Sequence, residues 1–370
     1  MTFLQGMVFY GPIATLYRQA QGISVLQITW IESVSLALCI LLEIPWGMLA
    51  DKIGYRRTMI ICSFLYFLSK IIFWQATNLL MFLGERILLG IVMAGISGVD
   101  SSILYLSFDK ERTHNVFGIY YGLGMAGLFA AAVLFSIFIQ EDYASAAFLT
   151  VISYGGAMVL SFFLQEVKED ETIRKISIIH ERKHLFQKRR MIVFLLAVAL
   201  LSQTHQTITV FLNQVQYDRL GMSESSMGAI YILSACMGIF SVLSFKISHR
   251  MGTEKTILWF TLFMAGACVC LASAQRASAA VGAVLFIRVV DSLFQPLQLE
   301  IQNKEITEAN RATRLSVNAM WIDGVGVITN LFFGMFSARS IIVSIFFGAL
   351  LCLISAGLFF YFFHQGTSSE

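Results

Sequence analysis

The sequence predicts an all-α integral membrane protein of about twelve spanning helices in two six-helix halves. Three observations predict it. Apolar runs of about 20 residues recur from end to end, each long enough to cross a hydrocarbon core of about 30 Å. Only 13% of the 370 residues are charged against 57% hydrophobic, where soluble domains carry about 25% charged residues. Mean hydropathy is accordingly high, +0.73. Third, one sizeable polar segment, Glu166 to Arg190, lies near the middle and divides the runs six and six.

In order, the spans fall near 1–17, 27–49, 58–76, 79–106, 115–139 and 143–165, then 191–212, 225–247, 256–274, 277–301, 313–337 and 340–362. The expected organisation is therefore an N-terminal bundle over 1–165, a cytoplasmic central loop over 166–190 and a C-terminal bundle over 191–370. The first span begins at Met1 with no polar tail, which is short. Either the start lies upstream or the N-terminus has been trimmed. No basic start or small-residue exit marks it as a cleavable signal. The second span carries Glu43 before Pro45, a kink position, and ends in a compact basic turn at Gly54, where a glycine permits a tight reversal. In the fifth, Gly118, Gly122, Gly124 and Gly127 allow close backbone approach. The seventh is interrupted by Gln203, Thr204, His205, Gln206 and Thr207, with Thr209 and Asn213 beyond. All six cysteines fall inside apolar runs, which argues against a disulfide framework or a zinc site and for small packing residues.

Lys and Arg set the orientation. With the central segment cytoplasmic, roughly nineteen of them face that side and four, Arg18, Arg219, Arg276 and Arg339, face the other. Both termini are then cytoplasmic. Trp30 and Trp74 near outer helix ends, and Trp46 and Trp259 near inner ones, fit an aromatic belt. A net charge of +3 is too small to suggest a nucleic-acid partner.

The halves are related. Shifting the turn at Gly47–Thr58 by about 198 residues lands on Phe245–Thr256, placing Gly252 on Gly54, Arg250 on Lys52, Lys255 on Arg57 and Thr256 on Thr58. His249 replaces Asp51 and Phe245 replaces Gly47, so the second copy is degenerate.

The first copy, Gly47, Asp51, Lys52, Gly54, Arg56 and Arg57, meets every fixed position of G-x-x-x-D-K/R-x-G-x-R-R/K. It resembles the loop between the second and third helices of the major facilitator superfamily, and the chain is similar to that superfamily in helix count, central loop and paired loop motifs. The resemblance implies that Asp51 accepts from N–H groups at the start of the eleventh helix, near Asn310 to Thr313. Arg56 would pair with an acid ending the fourth helix, for which Asp109 is the candidate. Such a lock holds while the cytoplasmic side is closed. The alternative is that these charges only set topology.

Ionisable residues within spans are costly unless paired or hydrated. They are Glu32, Glu43, Lys70, Glu85, Arg86, Asp100, Arg288, Asp291 and Asp323, with His205 titratable. By the superfamily's architecture helices one, four, seven and ten line the cavity, which places Arg86, Asp100, His205, Arg288 and Asp291 there. Arg288 and Asp291 share a helix face and can pair. Arg86 with Gly90 resembles the R-x-x-x-G element of proton-linked members, although Leu89 replaces its glutamine and Val92 a glycine. Self-neutralising pairs, Arg86 with Glu85 or Arg288 with Asp291, are the plain alternative. Asp323, deep in the eleventh helix, reads as a protonatable carboxyl or an interhelical hydrogen-bond donor. Lys70 falls on the peripheral third helix, where its ammonium can snorkel outward.

The repeat shift sets Gly11 and Pro12 opposite the polar interruption of the seventh helix, and paired interruptions point to a binding site. Tyr10, Gln203, His205, Gln206 and Asn213 are the expected substrate contacts, with helix packing as their alternative role. Gly95-Ile96-Ser97-Gly98 matches a four-residue intramembrane protease pattern, but His205 lacks the glycine-spaced setting that chemistry requires. A phosphate-binding loop is likewise missing. The sequence therefore implies no enzyme and no cofactor. It implies a monomeric secondary transporter of the plasma membrane, exporting a drug-like or hydrophobic organic compound against protons. Uptake of a small metabolite or sugar is the alternative, and a non-transporting membrane sensor is the alternative of another class.

Overall fold

A computed structural model describes residues 1–107, 110–139, 142–167, 189–304 and 311–367. The described residues are helical and contain no strand. Eleven helices among them are long and apolar enough to cross a membrane; the first membrane segment is the exception because it is broken. It consists of α1 (Thr2–Gly6), a single 3-10 turn (Gly11–Ile13) and α2 (Ala14–Ala20). Pro12 supplies no N–H and fixes its own φ, which suits the start of the 3-10 turn where it lies after the break. In hydrocarbon the freed backbone groups need partners. Helix α8 (Tyr143–Ser161) supplies three from one face: Phe9 N–H donates to Thr150 Oγ1 at 3.0 Å, Ser153 Oγ donates to Leu4 O at 2.5 Å, and Tyr154 Oη donates to Gln5 O at 2.6 Å. The i, i+3, i+4 spacing of these three puts them on one side of the helix.

The chain divides into two compact units, Met1–Arg174 with Ser223–Ile232, and Lys175–Met222 with Leu233–Glu370. In the first, α3 (Val25–Ile53), α4 (Tyr55–Gln75) and α5 (Leu79–Ile96) follow the broken helix. Then come α6 (Val99–Ser107), α7 (Lys110–Leu134), a π-helical turn over Phe135–Ile139, and α8. Small residues decide where these helices touch. A Cβ on Gly90 would lie 2.6 Å from Ser35 O, bringing α5 onto α3, and one on Gly95 would lie 2.6 Å from Cys62 Sγ. Gly124 and Gly127 of α7 meet the backbone of Gly6 and Phe3 in α1, so two of the four fifth-span glycines serve packing, while Gly118 and Gly122 border open space. Gly98, at φ 80°, breaks the fourth span between α5 and α6.

The second unit opens with α9 (Arg189–Thr207), a π-helical turn (Ile208–Leu212) and α10 (Asn213–Arg219). Helix α11 (Glu224–Cys236), which counts with the first unit as far as Ile232, a 3-10 stretch (Met237–Leu243) and α12 (Ser244–Met251) lead to α13 (Thr253–Ser273). Helices α14 (Ala277–Lys304), α15 (Arg311–Ser337) and α16 (Ile341–Thr367) complete it. Helix α16 packs on α13 and α9, and α9 on α15.

The two copies of the loop motif have one backbone. Gly54 (φ 94°, ψ 150°) and Gly252 (φ 84°, ψ 142°) each end one helix and begin the next. Thr58 Oγ1 donates to Gly54 O at 2.9 Å, and Thr256 Oγ1 to Gly252 O at 2.7 Å. Large apolar side chains such as Leu41, Leu80, Phe138, Ile239 and Val242 are left outward, as a hydrocarbon surround requires.

Candidate functional site

In the first unit the broken helix carries its polar chemistry on α2 and on Tyr10. Arg18 is not a loop residue, as the charge count had it. Its side chain is 1% exposed, with Nη2 3.7 Å from Glu85 Oε2, and its guanidinium lies 5.2 Å from the Phe73 ring centre and 5.8 Å from that of Phe82. Glu85 is shared: Arg86 Nε lies 3.4 Å from the same oxygen, while Arg86 Nη1 lies 3.1 Å from Glu32 Oε2. Four charges from α2, α3 and α5 thus neutralise one another inside the bundle, which is how a membrane interior tolerates them.

Lys70 does not snorkel outward either. It is 4% exposed, and its ammonium donates to Tyr10 Oη at 3.0 Å. Ring centres of Tyr66, Tyr154 and Tyr10 stand 4.9, 5.0 and 5.7 Å from it. Ring faces carry negative potential and stabilise a desolvated cation. Tyr10 itself stacks on Phe73 at 4.0 Å. The sequence places Lys70 on the correct helix but not on its inward face. Its inward direction is set by the contact of α4 with α8, which brings Tyr154 across.

In the second unit His205 Nδ1 lies 3.5 Å from Asp291 Oδ2, both side chains being about one-eighth exposed (12% and 13%). Asp291 is therefore engaged across to α9, in addition to its place one turn after Arg288 on α14. Thr209 Oγ1 donates to His205 O at 2.9 Å. From Asp291 a ladder of side-chain amides runs along α14. Gln295 Nε2 donates to Asp291 Oδ1 at 3.1 Å and Gln298 Nε2 to Gln295 Oε1 at 3.0 Å. Gln302 donates to Gln298, and Asn318 Nδ2 of α15 donates to Gln302 Oε1 at 2.8 Å. Every donor points toward the carboxylate, which can only accept when ionised, and such chains polarise cooperatively. The i, i+3 and i+4 spacings of 291, 295, 298 and 302 are visible in the sequence; nothing there marks them as joined.

Among the remaining expected contacts, Gln203 is buried against Gly326, where a Cβ would lie 2.6 Å from its amide carbon. Asn213 is buried at the start of α10, whereas Gln206 is exposed. Asp323 is half-buried on α15. Asp100 accepts from Ser101 N–H at 2.7 Å and from Tyr120 Oη at 3.1 Å, beside the break at Gly98. In the loop motif Lys52 and Arg57 are exposed, and Asp51 lies half-buried in the last turn of α3. Gly47 borders open space. Arg56 donates to Phe162 O at 2.8 Å, and its backbone N–H to Glu166 Oε1 at 3.3 Å. Asp109, its expected partner, lies outside the described residues.

The profile of the Major Facilitator Superfamily matches residues 1–330. The chain belongs to the major facilitator superfamily. An uncharacterized MFS-type transporter of Methanocaldococcus jannaschii is 28% identical over 189 residues, which are 48% of this chain and 47% of that protein, about half its length. The nucleoside transporter NupG shares the fold at a TM-score of 0.78 and 15% identity, covering 98% of this chain and 97% of its own. A bacterial homolog of the human lysosomal transporter Spinster does so at 0.77 and 14%, over 98% and 94%. A D-xylose-proton symporter follows at 0.73 and 15%, over 96% and 95%. Membership makes this chain a multi-pass membrane protein of the transporter type rather than an enzyme. The Ser97 pattern accordingly marks a helix break in an MFS protein, not a nucleophile.

Proposed function

We infer that this MFS protein is a proton-coupled exporter of an amphipathic, drug-like organic compound, working as a monomer by alternating access in the plasma membrane with both termini cytoplasmic. The observation that carries the reading is the pairing of interruptions. The break at Met7–Ile13 and the π-helical turn at Ile208–Leu212 fall at positions matched by the repeat shift, each beside titratable side chains. Discontinuous helices at corresponding places in two repeats are the usual setting of a transport site, and π-helical turns concentrate at functional sites. Tyr10, Gln203, His205, Gln206 and Asn213 would contact the substrate. The His205–Asp291 pair would carry the proton, with Asp323 and Asp100 as further carboxyls and Arg86 and Arg288 setting their fields. The turn at Gly47–Arg57, tied by Arg56 to the end of α8, would hold the cytoplasmic side closed. Asp109 is the proposed partner outside the described residues.

An apolar, drug-like cargo is in keeping with a chain holding 32 Phe and 16 Met, and export is directly testable. In proteoliposomes with a trapped pH-sensitive dye and an imposed gradient, compounds from a panel should elicit proton flux opposite to their own movement. Asp291→Asn should lower that flux about tenfold or more, the equivalent of about 1.4 kcal/mol. Proton flux in the same direction as the compound would make the protein an uptake symporter. Folded, inserted protein giving no compound-dependent proton flux would reject proton coupling.

A further inference from the structure

The charge cluster beside the break in the first helix holds more cations than acids. Arg18, Lys70 and Arg86 are cations, while Glu32 and Glu85 are the acids paired with them. Both acids are taken up by the arginines. Among the described residues no carboxylate lies within ion-pair reach of Lys70, whose ammonium has one hydrogen bond, to Tyr10, and three ring faces. Ring faces offset part of a desolvated charge, but a surplus cation inside a membrane protein remains costly and marks an ion or substrate path.

Tyr10 turns this surplus into a recognition group. Its oxygen accepts from Lys70, so its own O–H is free to donate elsewhere, and no acceptor for it occurs among the described residues. A hydroxyl that accepts from an ammonium becomes a stronger donor, since hydrogen bonds in series polarise one another. Tyr10 also sits at the break of the first helix, next to Gly11, where the chain departs from regular helix. Stacking on Phe73 and the contact with Lys70 leave its ring little freedom. The group that suits a polarised phenol backed by a surplus cation is an anionic oxygen.

We propose that the transported compound is an organic anion, an amphipathic acid whose carboxylate or comparable oxyanion accepts from Tyr10 and balances Lys70. This rests on the transport reading above and adds the charge of the cargo to it. On this assignment Lys70 acts through Tyr10 as a positioning residue, and Tyr10 is the group that touches substrate. An amine would add a second unpaired positive charge and should be refused; a neutral amide would leave the surplus in place and should be handled poorly.

The test uses the full chain in proteoliposomes with matched triads of amphipathic compounds, each an arylalkyl carboxylic acid, its primary amide and the corresponding amine. Acids should be moved at least about tenfold faster than their amides, with amines slower still. Tyr10→Phe keeps the ring and its stacking, so it should fold and lose most of the acid-over-amide preference. Lys70→Met should lose the same preference, and Lys70→Arg should restore part of it. Preference for amines or amides in the unaltered protein overturns the charge assignment while leaving transport intact. So does an unchanged acid preference in a folded Tyr10→Phe variant. Movement of no member of any triad, with folding and insertion verified, overturns the transport reading itself.

Discussion

In the first half, Tyr10, Lys70 and Tyr154 surround the break in the first helix. A shift of about 198 residues puts Ile208, Cys268 and Cys352 at the matching positions, all fully buried. The contact between helices is kept: Lys70 lies over the Tyr154 ring, and Cys268 and Cys352 are both fully buried on α13 and α16, which pack together. Arg18 and Glu85 match Gln216 and Ala283. Gln216 donates to Leu271 O at 2.9 Å, on the residue matching Phe73, over whose ring Arg18 lies. The second half places its charge elsewhere, on Arg288 and Asp291, with the His205 ring beside the carboxylate. Backbone geometry is thus repeated and interior chemistry is not. A turn glycine or a helix–helix approach depends on a few atoms that both halves need. A buried charge depends only on what offsets it within its own bundle, acids for Arg18 and Arg86 and ring faces for Lys70.

The sharpest break of this comparison is at Glu85. Removing its charge with Glu85→Gln strands Arg18, which is 1% exposed, so stability should fall by about 3–5 kcal/mol. Ala283→Ser at the matching, uncharged position should cost less than about 1 kcal/mol. Thermal unfolding in detergent micelles reads both, and equal losses would show that the charge cluster carries no special burden. At the shared turns the order should reverse toward similarity. Gly54→Ala and Gly252→Ala each force a side chain to φ near 90°, costing about 1–3 kcal/mol. The two costs should be similar, because the atom nearest a Gly54 Cβ, Glu166 Oε2 at 2.8 Å, is the end of an exposed side chain that can swing away, and Gly252 borders open space.

The smallest effect separates the N-termini of the matching helices α8 and α16. Asp142 accepts from Ser145 N–H at 3.0 Å, and Ser340 accepts from Ile342 N–H at 3.2 Å. Alanine at either should cost about 1 kcal/mol near neutral pH. The hydrogen bond from the Ser145 side chain holds the Asp142 carboxyl below its ordinary value. A depressed acid contributes its stability above the unfolded pKa, about 3.9, and loses it as pH falls through the folded value. The Asp142→Ala deficit should therefore fade on acidification while that of Ser340→Ala persists. A pH series of unfolding midpoints distinguishes them.

Much of the fold was legible because its causes are local. Apolar runs must cross, Pro12 is suited to the start of a helical turn, and Gly54 and Gly252 turn readily, whatever surrounds them. The candidate site was legible only in part. Glu32, Glu85 and Arg86 were recognisable as charges that need partners, and the polar run around His205 as an interruption. Arg18, at the end of a run, counted as a loop cation, and Lys70 as one free to snorkel. Thr150, Ser153 and Tyr154 gave no sign beyond a polar face at helical spacing.

The sequence by itself determined the number and order of spans, the doubled loop motif and the points where helices one and seven depart from regularity, since hydropathy, proline and glycine act through the residue's own backbone and solvent. Tertiary structure alone decided that Arg18 meets Glu85, that Lys70 lies among three tyrosines beneath Tyr10, and that Asp291 answers to His205 and a ladder of amides. Those pairings depend on which face each helix turns inward. Contacts such as Gly90 on Ser35 and Gly124 on Gly6 set that face, and they join residues too far apart along the chain for any local pattern to connect them.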